Sequence, residues 1–226
     1  MTSELRLERR RLDDLPPLAS LTHVERLFLT ATPIHDLSPL RGLHRLRVLG
    51  LKLARAADLT PLADLTGLQS LILSFTPVGD VTPLAGLNGL RSLYLTGCPV
   101  SDIAPLAGLT GLRRLDLGGT SVSDLAPVAA MTELVSLQLS STPVIDLSPL
   151  AGLTRLLVLE LGDTAVADLS PLAALRALRR LDIRGTHVVD LPVLPGSKVL
   201  CNNRPAPAAA ASAHGRLAKR PLEAGP

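Results

Sequence analysis

The chain almost lacks aromatic residues: Phe28, Phe75 and Tyr94 are the only three among 226, and there is no tryptophan. A core organised around a few large rings is thereby excluded, so many small equivalent pieces must fill the interior. Cysteine is equally scarce. Cys98 and Cys201 cannot form the framework of a disulfide-rich secreted scaffold, and two unpaired thiols suit a reducing compartment. No uninterrupted apolar run reaches the ~18 residues that a spanning helix needs. Residues 1–11 (MTSELRLERRR) are charged and lack the apolar stretch of a secretory signal. These absences lead us to expect a cytoplasmic protein without membrane contact. A net charge of +3 with 46% hydrophobic residues also excludes disorder throughout.

Leucine, by contrast, is abundant, with 52 copies. Most of them fall on a lattice of 22 residues. Taking Leu46 as an anchor and stepping by 22 gives Thr2, Val24, Leu46, Leu68, Leu90, Leu112, Leu134, Leu156 and Leu178. Nine units without insertion or deletion cover residues 2–199. The common pattern is L-x-x-L-x-L-x-x-T-x-V-x-D-L-x-P-L-A-x-L-x-x, as in Leu68–Gly89, LQSLILSFTPVGDVTPLAGLNG. The L-x-L segment alternates as one face of a strand does. The D-L-x-P-L-A-x-L half has apolar residues three apart, as in a short helical turn. Proline recurs there in eight units, from Pro17 to Pro171, and Ser or Thr precedes it in five. That pair predicts Ser/Thr as N-cap with Pro as first helical residue. One unit cannot bury its own apolar face, so stability must come from stacking.

The L-x-x-L-x-L segment and the period resemble the leucine-rich repeat family, in its short bacterial or phosphatase-regulator-like form. The resemblance implies an α/β leucine-rich repeat solenoid: a curved parallel sheet on the concave side and short helical turns on the convex side. We expect an N-terminal capping repeat over 1–23, the repeat array over 24–191, a C-terminal cap over 192–204 and a flexible Pro/Ala-rich tail over 205–226. One departure from the family pattern stands out. Where the family has Asn, this chain has Thr32, Thr76, Thr120, Thr142, Thr164 and Thr186, with Arg10, Ala54 and Cys98 as exceptions. A threonine hydroxyl carries one donor hydrogen, so it must tie the turns together differently. The third unit, with Ala54 and Ala56 replacing Thr and Val, is the expected soft spot of the array.

Catalytic chemistry finds little support. Nine aspartates recur at one position, from Asp14 to Asp190, which is expected of residues that accept N–H groups from their own turn. His23, His35, His44, His187 and His214 fall at different repeat positions and lack metal-ligand spacing. Serines of the strands have no neighbouring His for a triad. Neither enzyme activity nor a metal or other cofactor is expected.

Function in a repeat array shows where the units differ. The column between the two strand leucines reads Arg6, Phe28, Gly50, Ile72, Tyr94, Asp116, Gln138, Glu160, Asp182, and alternation turns it outward on the concave sheet. It is apolar or aromatic in units two to five and acidic or polar from unit six. Phe75 lies at its rim. Arg26, Arg114 and Arg180 flank it on one side, Lys52 and Arg184 on the other; Arg114 with Asp116, and Arg180 with Asp182, are candidate local pairs. The expected partner-binding residues are therefore Phe28, Ile72, Phe75, Tyr94, Arg114, Asp116, Gln138, Glu160, Arg180, Asp182 and Arg184. The reading is a monomeric, non-catalytic module that binds an unidentified protein partner. Its alternative is a basic-ended binder of nucleic acid or another acidic surface. Residues 1–55 carry 10 basic and 6 acidic groups, 56–175 carry 4 and 11, and 176–226 carry 9 and 3. The acidic middle breaks the stripe that a nucleic acid would track, which makes the alternative the weaker one. The bias of 20 Arg against 3 Lys points to a GC-rich bacterial source.

Overall fold

The computed structural model describes residues 3–10, 17–190 and 198–201. Ten three-residue strands form one parallel sheet in sequence order: β1 Glu4–Arg6, β2 Arg26–Phe28, β3 Val48–Gly50, β4 Ser70–Ile72, β5 Ser92–Tyr94, β6 Arg114–Asp116, β7 Ser136–Gln138, β8 Val158–Glu160, β9 Arg180–Asp182 and β10 Lys198–Leu200. The register from β1 to β9 is the 22-residue period itself, with Leu27 opposite Leu49, Leu49 opposite Leu71, and onward. Between strands the chain returns through short 3-10 turns such as Ser38–Leu40 and Thr60–Leu62. The solenoid predicted from the repeat is thus present, with 3-10 geometry in every helical turn described. A tight 3-10 turn suits the pattern because its i to i+3 bonds need only a few residues.

The core is a stack of leucine columns. The central strand residues Leu27, Leu49, Leu71, Leu93, Leu115, Leu137, Leu159 and Leu181 are all essentially inaccessible. Each strand is too short to bury anything alone, so each leucine meets only its own unit and its neighbours. The final unit departs from the lattice. β10 pairs Lys198 with Arg180, a step of 18 residues where earlier strands step by 22. A shortened tenth rung thus follows the nine regular ones among the described residues, with Val199 and Cys201 partly buried against the core. The expected C-terminal cap otherwise lies largely, and the tail over 205–226 wholly, outside the described residues.

Two side chains per unit secure the turns. The first is the threonine. Thr32, Thr76, Thr120, Thr142, Thr164 and Thr186 each donate Oγ1–H to the carbonyl three residues back, at 2.6–2.7 Å. The hydroxyl therefore closes its own unit, whereas an amide with more donors can bridge units. Cys98 does reach across: its Sγ lies 3.1 Å from the Leu73 carbonyl of the preceding unit. At Ala54 only the backbone bond to Leu51 remains.

The second is the aspartate. Asp36, Asp58, Asp80, Asp102, Asp124, Asp146 and Asp168 accept the N–H two residues on, at 2.7–2.8 Å. This corrects the expected cap by one step. Ser, Thr or Ala is the first residue of the 3-10 turn and Pro the second, while the capping oxygen comes from Asp. The serine hydroxyls of Ser148 and Ser170 turn back onto the same carboxylates. At Asp36, Asp58, Asp80 and Asp146 the following hydroxyl is the main influence holding the carboxyl below its usual range, with the N–H second; at Asp168 the N–H leads.

Two outcomes follow for stability. Thr120→Val, which keeps shape and removes the hydroxyl, should cost about 0.5–1.5 kcal/mol, and Ala54→Thr should gain a similar amount, both read as shifts in chemical denaturation midpoint. A loss on Ala54→Thr would contradict the assignment of that unit as under-bonded. Asp36, Asp58, Asp80, Asp146 and Asp168, held below the ordinary carboxyl range in the fold, contribute stability that is present above about pH 4 and is lost as pH falls through the folded values. Thermal melting should therefore decline steeply in acid. Asp80→Asn with Asp146→Asn, which keeps the accepting oxygen without titration, should flatten that decline and lower neutral-pH melting slightly, because the contribution of the charged form is gone at every pH.

Candidate interaction surface on the sheet

The register brings the variable column together as read from the sequence. Arg6 lies opposite Phe28, Phe28 opposite Gly50, Gly50 opposite Ile72, Ile72 opposite Tyr94, and Tyr94 opposite Asp116, with Gln138, Glu160 and Asp182 following in turn. The side chains of this column differ greatly in freedom. Phe28 is half-buried: its ring spreads over Gly50, and the Arg6 guanidinium sits 4.3 Å above the ring centre. A Cβ at position 50 would come within 2.6 Å of that ring, so the glycine is what lets Phe28 lie flat. Ile72 and Tyr94 are half-buried neighbours.

Phe75 is different. It follows β4 in a turn with φ of +60° and is 52% exposed. The left-handed region disfavours a bulky side chain. Every unit nevertheless places one residue there: Arg9, Ala31, Leu53, Phe75, Gly97, Gly119, Ser141, Asp163 and Gly185 all have positive φ. The chain must turn sharply off the strand at this point, and only three units meet the demand with glycine. This column escaped the sequence reading; the glycines at 97, 119 and 185 were its one visible trace. The Phe75 ring extends over Gly97, and Lys52 Nζ stands 5.8 Å from its centre. Beside it lies a shallow depression of about 370 Å³, walled by Phe75, with Gly97, Gly118 and Gly119 as neighbours and Asp116, Gln138 and Ser140 supplying polar atoms.

The acidic half is already partnered. Arg180 bonds Glu160 at 2.9 Å, so its pairing is with the preceding strand and the expected Arg180–Asp182 pair does not form. Asp182 instead receives Arg184, whose Nε lies 2.9 and 3.0 Å from the two carboxylate oxygens. The proposed Arg114–Asp116 pair is also absent; Asp116 accepts the Gly118 N–H at 3.0 Å, while Arg114 is exposed. Glu160 and Asp182 are adjacent in register and both buried. Burial first, then the neighbouring Asp182 charge against the opposing pull of Arg180, leaves the Glu160 carboxyl above its usual range. Asp182 lies below its own, chiefly through Arg184. Cys98 is buried and Cys201 half-buried, and no disulfide joins them. Among the described residues no group of three His, Cys, Asp or Glu is placed to hold a metal, and no helix is long and apolar enough to cross a membrane.

The two carboxyls predict opposite responses at neutral pH. Glu160→Gln removes a charge that the fold resists and should leave the melting temperature unchanged or higher. Asp182→Asn deprives Arg184 of its forked partner and should lower it. A larger loss from Glu160→Gln than from Asp182→Asn would reverse this assignment.

No family model matches the chain, and no curated protein matches it. Solved structures do. An internalin, InlF, from Listeria monocytogenes aligns with a TM-score of 0.79 and 36% identity, covering 82% of this chain and 56% of its own. The present chain thus spans little more than half of that protein. Internalin C2 of the same organism aligns with a TM-score of 0.79 and 32% identity, covering 81% of this chain and 84% of its own. A plant peptide hormone receptor, RGFR1 in complex with RGF2, shares the fold alone, at 17% identity, a TM-score of 0.64, and coverage of 75% of this chain and 31% of the receptor. With more than 30% identity across most of internalin C2 and an open sheet of ten parallel strands joined by short 3-10 turns, the chain belongs to the leucine-rich repeat family and stands within it beside the internalins.

Proposed function

We propose that the chain is a non-catalytic module that binds a protein partner on the concave sheet, centred on Phe75, Ile72 and Tyr94, with Asp116 and Gln138 at the polar margin. The observation that carries this reading is Phe75. An aromatic ring half-exposed in a left-handed turn is unfavourable for the fold on two counts, and glycine serves the same position in other units. Exposed aromatics beside a depression are the side chains that most often anchor a protein interface. The family supports protein interaction as the general role. Phe28 contributes less, because Arg6 and Gly50 already cover its faces. Glu160, Arg180, Asp182 and Arg184 satisfy one another, so they serve as a rigid polar border. Arg114 stands free beside that border. We place the protein in the cytoplasm, a reading supported by two cysteines that are not joined in a disulfide, and take it to be a monomer.

The position of Phe75 separates binding from folding. Phe75→Gly removes a left-handed backbone cost of about 1–2 kcal/mol, which outweighs the additional entropy of about 0.5–1 kcal/mol that glycine loses on folding. The variant should therefore melt no lower than the parent. Capture of the native-cell partner on immobilised protein should nevertheless fall by about tenfold or more, and further with Tyr94→Ala. Undiminished capture by a well-folded Phe75→Gly/Tyr94→Ala variant would remove this surface from consideration.

A further inference from the structure

Counted along the chain, residues 56–175 hold 4 basic and 11 acidic groups, a balance that by count alone interrupts any basic stripe. The fold sorts these charges laterally. All four basic residues of that stretch, Arg91, Arg113, Arg114 and Arg155, fall within two residues of a repeat anchor, at the end of the sheet where the strands begin. Arg26, Arg45, Arg47, Arg179 and Arg180 occupy equivalent places in other units. Among the described residues only Glu4, Glu25 and Glu133 oppose them there. The recurrent aspartates lie elsewhere, in the connections that leave the other ends of the strands. One edge of the solenoid is therefore lined by nine exposed arginines.

This edge is ordered by its own backbone. Successive N–H groups bond back to the preceding unit from Arg47 through Gln69, Arg91, Arg113, Val135 and Leu157 to Arg179. At ~4.8 Å per rung, Arg91 and Arg179 stand roughly 19 Å apart. The Arg47 guanidinium donates to the Gly67 carbonyl at 3.1 Å, and that of Arg91 to the carbonyls of Asn88 and Leu90 at 3.2 and 3.1 Å. Gly67 and Gly111 make the room, since a Cβ at position 67 would crowd the Arg47 guanidinium and one at position 111 that of Arg91. Glu133 takes Arg155 and, more distantly, Arg113. Arg45, Arg47, Arg91, Arg114 and Arg179 have no carboxylate within 4.0 Å among the described residues. Five arginines, two of them held by backbone carbonyls, thus present unneutralised charge along one line.

We propose that this arginine-lined edge is a docking surface for an acidic, partly apolar segment of a protein partner. Val135 and the 37% exposed Leu157 are adjacent rungs of the same column, between Arg113 and Arg179, so an apolar step lies between charges. No aromatic side chain lies on the edge to stack a base, and Glu133 interrupts the row where a phosphate backbone would need continued positive charge. An acidic peptide with interspersed leucines meets both features. Arg47, Arg91 and Arg179 lie off the Phe75 surface, Arg114 adjoins it through Asp116 of the same strand, and docking on the edge requires nothing of the Phe75 ring.

The test uses the full chain, a labelled 15-residue peptide of alternating Glu and Leu pairs, and a labelled 15-nucleotide oligothymidine, read by fluorescence anisotropy in moderate salt. The peptide should bind saturably and at least about tenfold more tightly than the oligonucleotide. Arg91→Ala with Arg114→Ala should weaken it about tenfold or more. The charge-matched control, Arg41→Ala with Arg55→Ala, and the Phe75→Gly variant should leave it unchanged. Arg91→Gln with Arg114→Gln, which keeps hydrogen-bond donors, should show the same loss if melting curves reveal any instability in the alanine pair. Equal loss in the control pair, tighter binding of the oligonucleotide, dependence on Phe75 or absence of saturable peptide binding would each overturn the proposal.

Discussion

Every feature of this molecule depends on one constraint: a unit can bury its leucines only against the unit before and the unit after. A three-residue strand has too little backbone and too little apolar surface to be stable alone. Stacked in parallel, each strand completes the ladder of its neighbour, and Leu27 through Leu181 become a continuous dry column. The price of that economy is repetition, because any unit that broke the period would open the column on both sides. The third unit shows how far the rule bends. Ala54 and Ala56 are buried with smaller side chains, yet β3 keeps its register with β2 and β4.

Repetition also explains which residues are free to vary. The chain must leave each strand by a sharp left-handed turn, enter a 3-10 turn capped by Asp, and return in the same number of residues. Leucine, threonine, aspartate and proline are committed to these tasks. What remains is the outer column of the strands, the left-handed position and the short approach to each strand. The aromatic residues fall in the first two places and the unneutralised arginines mostly in the third. The interaction surfaces proposed here are thus the positions on which the lattice places least demand.

The strand column was readable because a period of two along each strand and a period of 22 between strands together specify which side chains are neighbours. The pairing of its charges was not. Arg180 and Asp182 point to the same face, but Arg180 reaches the Glu160 carboxylate of the preceding strand and leaves Asp182 to Arg184. Sequence proximity said nothing of the cross-strand distance that decides between them. The cap was misplaced by one residue for a similar reason. Ser-Pro satisfies the preference for an N-cap and first helical residue, but the Asp carboxylate two positions earlier accepts the N–H of the Ser itself and draws that Ser into the turn as its first residue.

The sequence by itself determined the fold, the number of regular units, the buried leucine set and the outward column, since all of these follow from side-chain periodicity and the need to stack. Tertiary structure decided what periodicity does not encode. It placed Phe28 beneath Arg6 and across Gly50, put Phe75 in a left-handed turn, and added a tenth rung four residues short of the period. It also turned a count of charges along the chain into a charge pattern across it. Residues far apart in sequence become neighbours at each 22-residue step, so a basic edge can run through a stretch that is acidic on average. The scarcity of aromatics likewise became a distinction among three rings, one covered, one half-buried and one held exposed by the backbone beneath it.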